Sequence, residues 1–129
     1  MTKIHQYTML CVPITGQMAA IEALKSADKD VAVMKAEYHR RRDFIVQGLN
    51  DIGLECHMPQ GAFYVFPSIK STKETSMDFA KNLLHQQKVA LVPGVAFGKA
   101  CPDHVRISYA SSYENLKEAV LRIKKYLNK

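Results

Sequence analysis

The stretch Val105-Arg106-Ile107-Ser108-Tyr109-Ala110-Ser111-Ser112-Tyr113-Glu114-Asn115-Leu116 changes its hydrophobic period part-way along. Val105, Ile107 and Tyr109 alternate with Arg106 and Ser108, the pattern of a strand with one apolar face. Ser111-x-x-Glu114 then reads as a capping box, after which Leu116, Ala119, Val120, Ile123 and Leu127 recur at helical spacing.

Working back toward the N-terminus, the run from Val89 to Val92 predicts a buried strand that Pro93-Gly94 stops, and a loop with Gly98 and Pro102 leads on to Val105. Thr75-x-x-Asp78 opens a helix with Met77, Ala80, Leu83 and Leu84 on one side. Residues 62 to 66, Ala-Phe-Tyr-Val-Phe, are a continuous apolar run of mostly aromatic and β-branched residues, as expected of a strand covered on both faces. Leu54, Cys56 and Met58 alternate with Glu55 and His57, and Pro59-Gln60-Gly61 is a turn, which together predict a hairpin. A long helix carries Met34, Tyr38, Ile45, Leu49 and Ile52 and ends at Gly53. A shorter helix is expected from Gln17 to Lys25, and residues 1 to 16 read as an extended lead-in. The order is ααββαββα. It predicts an α+β, two-layer sandwich whose helices pack on one face of a small, mostly antiparallel sheet.

With 129 residues and 47% apolar content, the chain can bury a core without disulfides or metal. No apolar run approaches the roughly 18 residues of a membrane span, and the first residues lack a signal-peptide pattern, so the expected setting is cytoplasmic, away from membranes. Cys11, Cys56 and Cys101 are an odd, widely spaced set that suits free thiols better than a disulfide framework. The net charge of +6 is dispersed. Its one tight run, Arg40-Arg41-Arg42, falls on a predicted helix whose successive side chains point about 100° apart, so nucleic acid is not an expected partner.

Little chemistry is legible from residue types alone. Cys101-Pro102-Asp103-His104 has the spacing of half a zinc site with no second half, so no metal is expected. No P-loop, G-x-S-x-G or G-x-G-x-x-G is present. Tyr64, Tyr109 and Tyr113 read as packing residues. Arg106 stands out, because alternation puts it on the face opposite Val105, Ile107 and Tyr109, with His104 and Ser108 beside it. A guanidinium there suits either a structural salt bridge or two-pronged capture of a carboxylate. The Pro93-Gly94 and Gly98 loop offers backbone that could approach a ligand.

Four segments, in order, resemble the C-terminal region of class I/II, fold-type I aminotransferases, nearest to bacterial aspartate and aromatic aminotransferases. They are residues 38 to 44, Tyr-His-Arg-Arg-Arg-Asp-Phe; residues 59 to 65, Pro-Gln-Gly-Ala-Phe-Tyr-Val; residues 89 to 94, Val-Ala-Leu-Val-Pro-Gly, with Phe97-Gly98; and residues 105 to 110, with Glu114-Asn115-Leu116. The resemblance covers nearly the whole chain. It implies residues 1–28 as the tail of a large domain and 29–129 as the small domain. It further implies that Arg106 binds the substrate α-carboxylate and that Gly61 and the loop from Pro93 to Gly98 lie near the cleft. Pyridoxal 5'-phosphate would be the cofactor of the intact enzyme, amino acids and 2-oxo acids its substrates, and a homodimer its assembly. The family's Schiff-base lysine belongs to an S-x-[ST]-K-like motif that this sequence lacks, and Lys70 and Lys73 do not replace it. No catalytic or cofactor-binding residue, no bound cofactor and no activity are therefore expected of this chain alone, with Met1 internal to a longer sequence. A stand-alone carboxylate-binding module and a pyridoxal-phosphate lyase of the same fold are the alternatives.

Overall fold

The structure is a computed structural model that describes residues 1–9 and 11–128. It divides into two compact units, Met1–Ala36 and Glu37–Lys129.

The first unit is helical. α1 (Thr2–Thr8) and α2 (Ile14–Ser26) precede α3 (Asp28–Asp51), whose opening turns also belong to this unit. Thr2–Thr8 and the residues from Ile14 on are thus helical and not an extended lead-in: His5 N–H and Met9 N–H donate to the Met1 and His5 carbonyls, and Gly16 lies inside α2. Proline acts here as a helix starter, because Pro13 at the N-cap of α2 precedes the first N–H that the helix needs. Neither α1 nor α2 has a buried residue; Ile4, Tyr7 and Leu24 stand in the open.

The second unit holds the core. The C-terminal half of α3 contributes Ile45, Val46 and Leu49. Three strands follow, β1 (Tyr64–Val65), β2 (Val92–Pro93) and β3 (Val105–Ser108), in the antiparallel order β1-β3-β2. β3 is central, pairing Tyr64 with Ser108 and Val65 with Ile107 on one side, and Val92 with Arg106 and Pro93 with Val105 on the other. α4 (Ser76–Gln87) lies between β1 and β2 in sequence, and α5 (Tyr113–Leu127) follows β3. Val65, Val105 and Tyr109 share one cluster with Phe79 and Leu83 of α4 and Leu116, Ile123 and Tyr126 of α5. This is the expected α+β arrangement of helices against a small antiparallel sheet. Burying each large apolar side chain of this cluster contributes roughly 1.5–3 kcal/mol relative to leaving it in water.

Several elements differ locally from the sequence reading. Leu54 and Cys56 are buried and Glu55 and His57 are not, as the alternation requires, yet the segment forms no ladder with residues 62 to 66. The Asn50 side chain takes the place of a partner strand: its Oδ1 accepts from Cys56 N–H at 3.0 Å and its Nδ2 donates to the Cys56 carbonyl at 3.1 Å. β1 pairs with β3 instead. Nor is the 62–66 segment covered on both faces within this unit, since Phe63 and Phe66 are exposed on either side of buried Val65. On α4 the buried set is Ser76, Phe79, Ala80 and Leu83, while Met77 and Leu84 face outward. The cap of α5 is Ser112, not Ser111; its side chain accepts from Asn115 N–H. Thr75 caps α4 as expected, accepting from Asp78 N–H at 3.2 Å.

Candidate functional site

Alternation along β3 decides the character of its two faces. Val105 is fully buried, whereas Arg106 is half-buried on the opposite face. Antiparallel pairing brings Tyr64 and Val92 onto the Arg106 face from the two neighbouring strands. The segment after β2, a 3₁₀ turn over Gly94–Phe97, carries a further aromatic ring to the same place. The Arg106 guanidinium carbon lies 4.3 Å from the Tyr64 ring centroid and 4.7 Å from that of Phe97.

The 3₁₀ turn is held by close backbone approach. Gly94 N–H donates to the His104 carbonyl at 2.8 Å, and a Cβ on Gly94 would collide with the carbonyl oxygens of Cys101 and His104. The glycine foreseen as permissive backbone is thus required for packing against the backbone of Cys101 and His104. Ser76, fully buried at the start of α4, adds a hydroxyl that accepts from Val95 N–H.

His104 stands at the edge of this face, stacked on Phe66 with ring centroids 5.4 Å apart and planes 11° from parallel. Its Nδ1 is 2.7 Å from Asp103 Oδ1, and Lys70 Nζ is 3.3 Å from Asp103 Oδ2. Partial burial pushes the Asp103 carboxyl up, but the hydrogen bonds from His104 and Lys70 outweigh it and leave the group below its ordinary range.

The chain has five arginines, and four are ion-paired. Arg40 and Arg41 share Glu37, Arg42 reaches Asp43, and Arg122 reaches Glu118. The two guanidinium groups hold the Glu37 carboxyl down to about 2. Of the five arginines, Arg106 alone has neither a carboxylate nor a hydrogen-bond acceptor within bonding distance among the described residues. The structural salt bridge that the sequence left open for it is not formed among those residues. Its five N–H donors have no acceptor among the described residues, and a guanidinium with its donors unspent is suited to take a planar anion edge-on.

Gly61 lies in the turn that precedes β1. Nothing stands within 4 Å of the position its Cβ would take, so it opens onto free space. The turn is anchored from β3's end: Tyr109 Oη donates to the Ala62 carbonyl at 2.8 Å, and Tyr109 N–H to the Phe63 carbonyl at 2.9 Å. Ala62 adopts a left-handed φ of 59° there.

Residues 3–123 match the family described as aminotransferase class I and II. The chain belongs to this family. Among relatives, an aspartate aminotransferase of Pyrococcus abyssi is 46% identical over 129 residues, which are 98% of this chain and 33% of that protein. A Bacillus subtilis protein provisionally named as an aminotransferase is 54% identical over 129 residues, 100% of this chain and 33% of its own length. The crystal structure of an aromatic aminotransferase from Pyrococcus horikoshii superposes with a TM-score of 0.90 at 45% identity, covering 98% of this chain and 34% of that one. The chain therefore spans about a third of the length of the relatives it matches.

Family membership implies pyridoxal phosphate in the intact enzyme. That group needs a Schiff-base lysine, a carboxylate at the pyridine nitrogen and a phosphate cradle. The described residues do not fit it by themselves. Lys70 is 70% exposed and ion-paired with Asp103, and Lys73 terminates a 3₁₀ turn (Lys70–Thr72) with a φ of 60°. The two carboxylates of α3's middle, Glu37 and Asp43, are committed to arginines. Sequence reasoning found Arg106 but missed Tyr64 and Phe97 as its partners. The register of β1 on β3 would have shown Tyr64, and that pairing joins residues more than forty positions apart.

Proposed function

We propose that this chain supplies the substrate-carboxylate arginine, Arg106, to a pyridoxal-phosphate-dependent aminotransferase that interconverts amino acids and 2-oxo acids as a homodimer. Residues 1–28 belong, on this reading, to the tail of the large domain and 29–129 to the small domain. The observation that carries it is Arg106 itself: the one arginine without a carboxylate of its own among the described residues, half-buried, with all its donors free. A carboxylate bound edge-on satisfies two of those donors and fixes the rotation of the substrate about its α-carbon. Gly61, with open space where a side chain would stand, leaves room for substrate beside the sheet. The chain by itself is not catalytic on this reading, because the S-x-[ST]-K-like segment that carries the Schiff-base lysine is absent from its sequence.

The test uses the full-length holoenzyme that contains this segment. Arg106→Ala is expected to lower kcat/KM for the amino acid and for the 2-oxo acid by about two orders of magnitude, the worth of a charge-assisted pair of hydrogen bonds. The cofactor's absorbance should be unchanged. Loss of the cofactor, or unaltered kinetics, would refute the assigned role. The 129-residue chain mixed with pyridoxal phosphate and reduced with borohydride should give no stoichiometric adduct at a single lysine.

A further inference from the structure

We infer that Tyr64 and Phe97 are positioning residues: their rings hold the Arg106 guanidinium in place while leaving its N–H edge unspent for the substrate carboxylate. The inference deepens the proposed role of Arg106 and rests on it.

Two observations carry it. The first is the contrast among the arginines. Every other one is fixed by a carboxylate, which consumes donors: Arg40 gives Nε and Nη2 to Glu37, and Arg42 gives Nε and Nη2 to Asp43. Arg106 is fixed by ring faces, 4.3 Å and 4.7 Å from its central carbon, and no donor is consumed. A planar cation is attracted to a ring through its face, whereas a carboxylate binds along its edge. The two interactions therefore do not compete. A long side chain held this way also loses little further freedom when ligand arrives, which removes part of the ordering cost of binding.

The second is that the fold fixes both rings independently of Arg106. Tyr64 is in β1, paired with Ser108. Its ring also meets Phe63, centroids 4.6 Å apart, which in turn stacks on Tyr38 of α3. Phe97 ends the 3₁₀ turn that Gly94 and Ser76 tie down, and it meets Phe66 edge-on at 5.9 Å. The nearest acid in sequence, Asp103, is occupied by His104 and Lys70. The rings thus form a fixed seat that does not depend on a bound ligand.

The full-length holoenzyme containing this segment tests the inference with Phe97→Leu and Tyr64→Leu, which keep bulk but remove the ring, against Phe97→Tyr and Tyr64→Phe, which keep it. Each leucine variant should raise KM for amino acid and 2-oxo acid about fivefold with kcat and cofactor absorbance little changed. The ring-retaining variants should behave as the wild type. In NMR spectra the Arg106 Nε–H and Cδ–H resonances should lie upfield from ring currents, and each leucine substitution should move them back toward random-coil positions. Arg106→Ala is the reference. If it raises KM strongly while the leucine variants do not, or if tyrosine and phenylalanine fail to substitute for each other, the positioning role is wrong and the carboxylate role stands. If Arg106→Ala leaves KM unchanged, both fall together.

Discussion

At the scale of single residues, environment separates side chains of one type into different chemistries. The cysteines illustrate this: Cys11 is exposed, Cys101 is half-buried, and Cys56 lies in the core beside Leu54. Burial pushes the Cys56 thiol up to about 11, because a thiolate there would forfeit its hydration. Alkylation depends on the thiolate, so at pH 8 Cys56 of the folded chain should react at least a hundredfold more slowly than Cys11. Denaturant should abolish the difference, and mass-spectrometric mapping of iodoacetamide adducts against time checks it; comparable rates in the folded chain would refute the assignment. The same shift has a consequence for stability, whose sign follows from the direction. The unfolded thiol ionises first as pH rises through its ordinary range, so the folded state loses this contribution between there and about pH 11. Glu37 works in the opposite sense. Its carboxyl, held at about 2 by Arg40 and Arg41, favours the folded helix above the ordinary carboxylate range and stops doing so as pH falls toward 2.

At the scale of elements, the 3₁₀ turn between β2 and β3 depends on Gly94 more than on any side chain. Its φ requires no glycine; the space does, since a Cβ would stand 2.5 Å from the His104 carbonyl oxygen and closer still to that of Cys101. Both obstacles are backbone, which cannot swing aside as a flexible side chain would. Gly94→Ala is therefore expected to destabilise the chain by about 2–3 kcal/mol, read as a lower urea midpoint at unchanged slope. Gly53→Ala provides a contrast, because its cost comes from a φ of 86° with nothing within 4 Å of the new Cβ. An unaltered midpoint for Gly94→Ala would show that the turn is not as tightly seated as described. The elements also show where sequence is a sufficient guide. Val105 to Tyr109 alternates, and burial follows it at Val105 and Tyr109, which are buried, and at Ser108, which is exposed, while Ile107 is only half-buried; a strand's period is a local property. The Thr75 cap was legible for the same reason. The expected hairpin of residues 54 to 66 was not found, since the burial of Leu54 and Cys56 is local but the choice of hydrogen-bond partner is not. Asn50 and β3 took those roles, and neither competitor is visible in the segment itself. The site divides along the same line. Arg106 could be singled out from its own strand, whereas Tyr64 and Phe97 reach it from two other segments of chain.

At the scale of the whole chain, burial is distributed very unevenly. Every member of the core cluster lies within Glu37–Lys129, whereas α1 and α2 bury nothing and expose Ile4, Tyr7, Met18 and Leu24. Helices of 7 and 13 residues are near or below the length at which isolated helices hold together in water, so they draw stability from packing or not at all. Within this chain the packing term is missing for them. The first residues therefore contribute little to the unfolding free energy of the core. Deleting residues 1 to 34 should leave a cooperative transition whose Tm lies within a few degrees of the parent chain's. It also leaves Glu37 near the new start of α3, where its charge favours the helix N-terminus. The deletion should lower binding of a hydrophobic dye, because contiguous exposed apolar side chains are what such dyes report. Calorimetry and dye fluorescence on the two chains decide the matter together. A large fall in Tm would mean that α1 and α2 stabilise the core, contrary to their exposure. An unchanged dye signal would mean that their apolar side chains are covered in solution. If both results come out as expected, the apolar side chains of α1 and α2 are carried for a surface that Glu37–Lys129 does not need in order to fold.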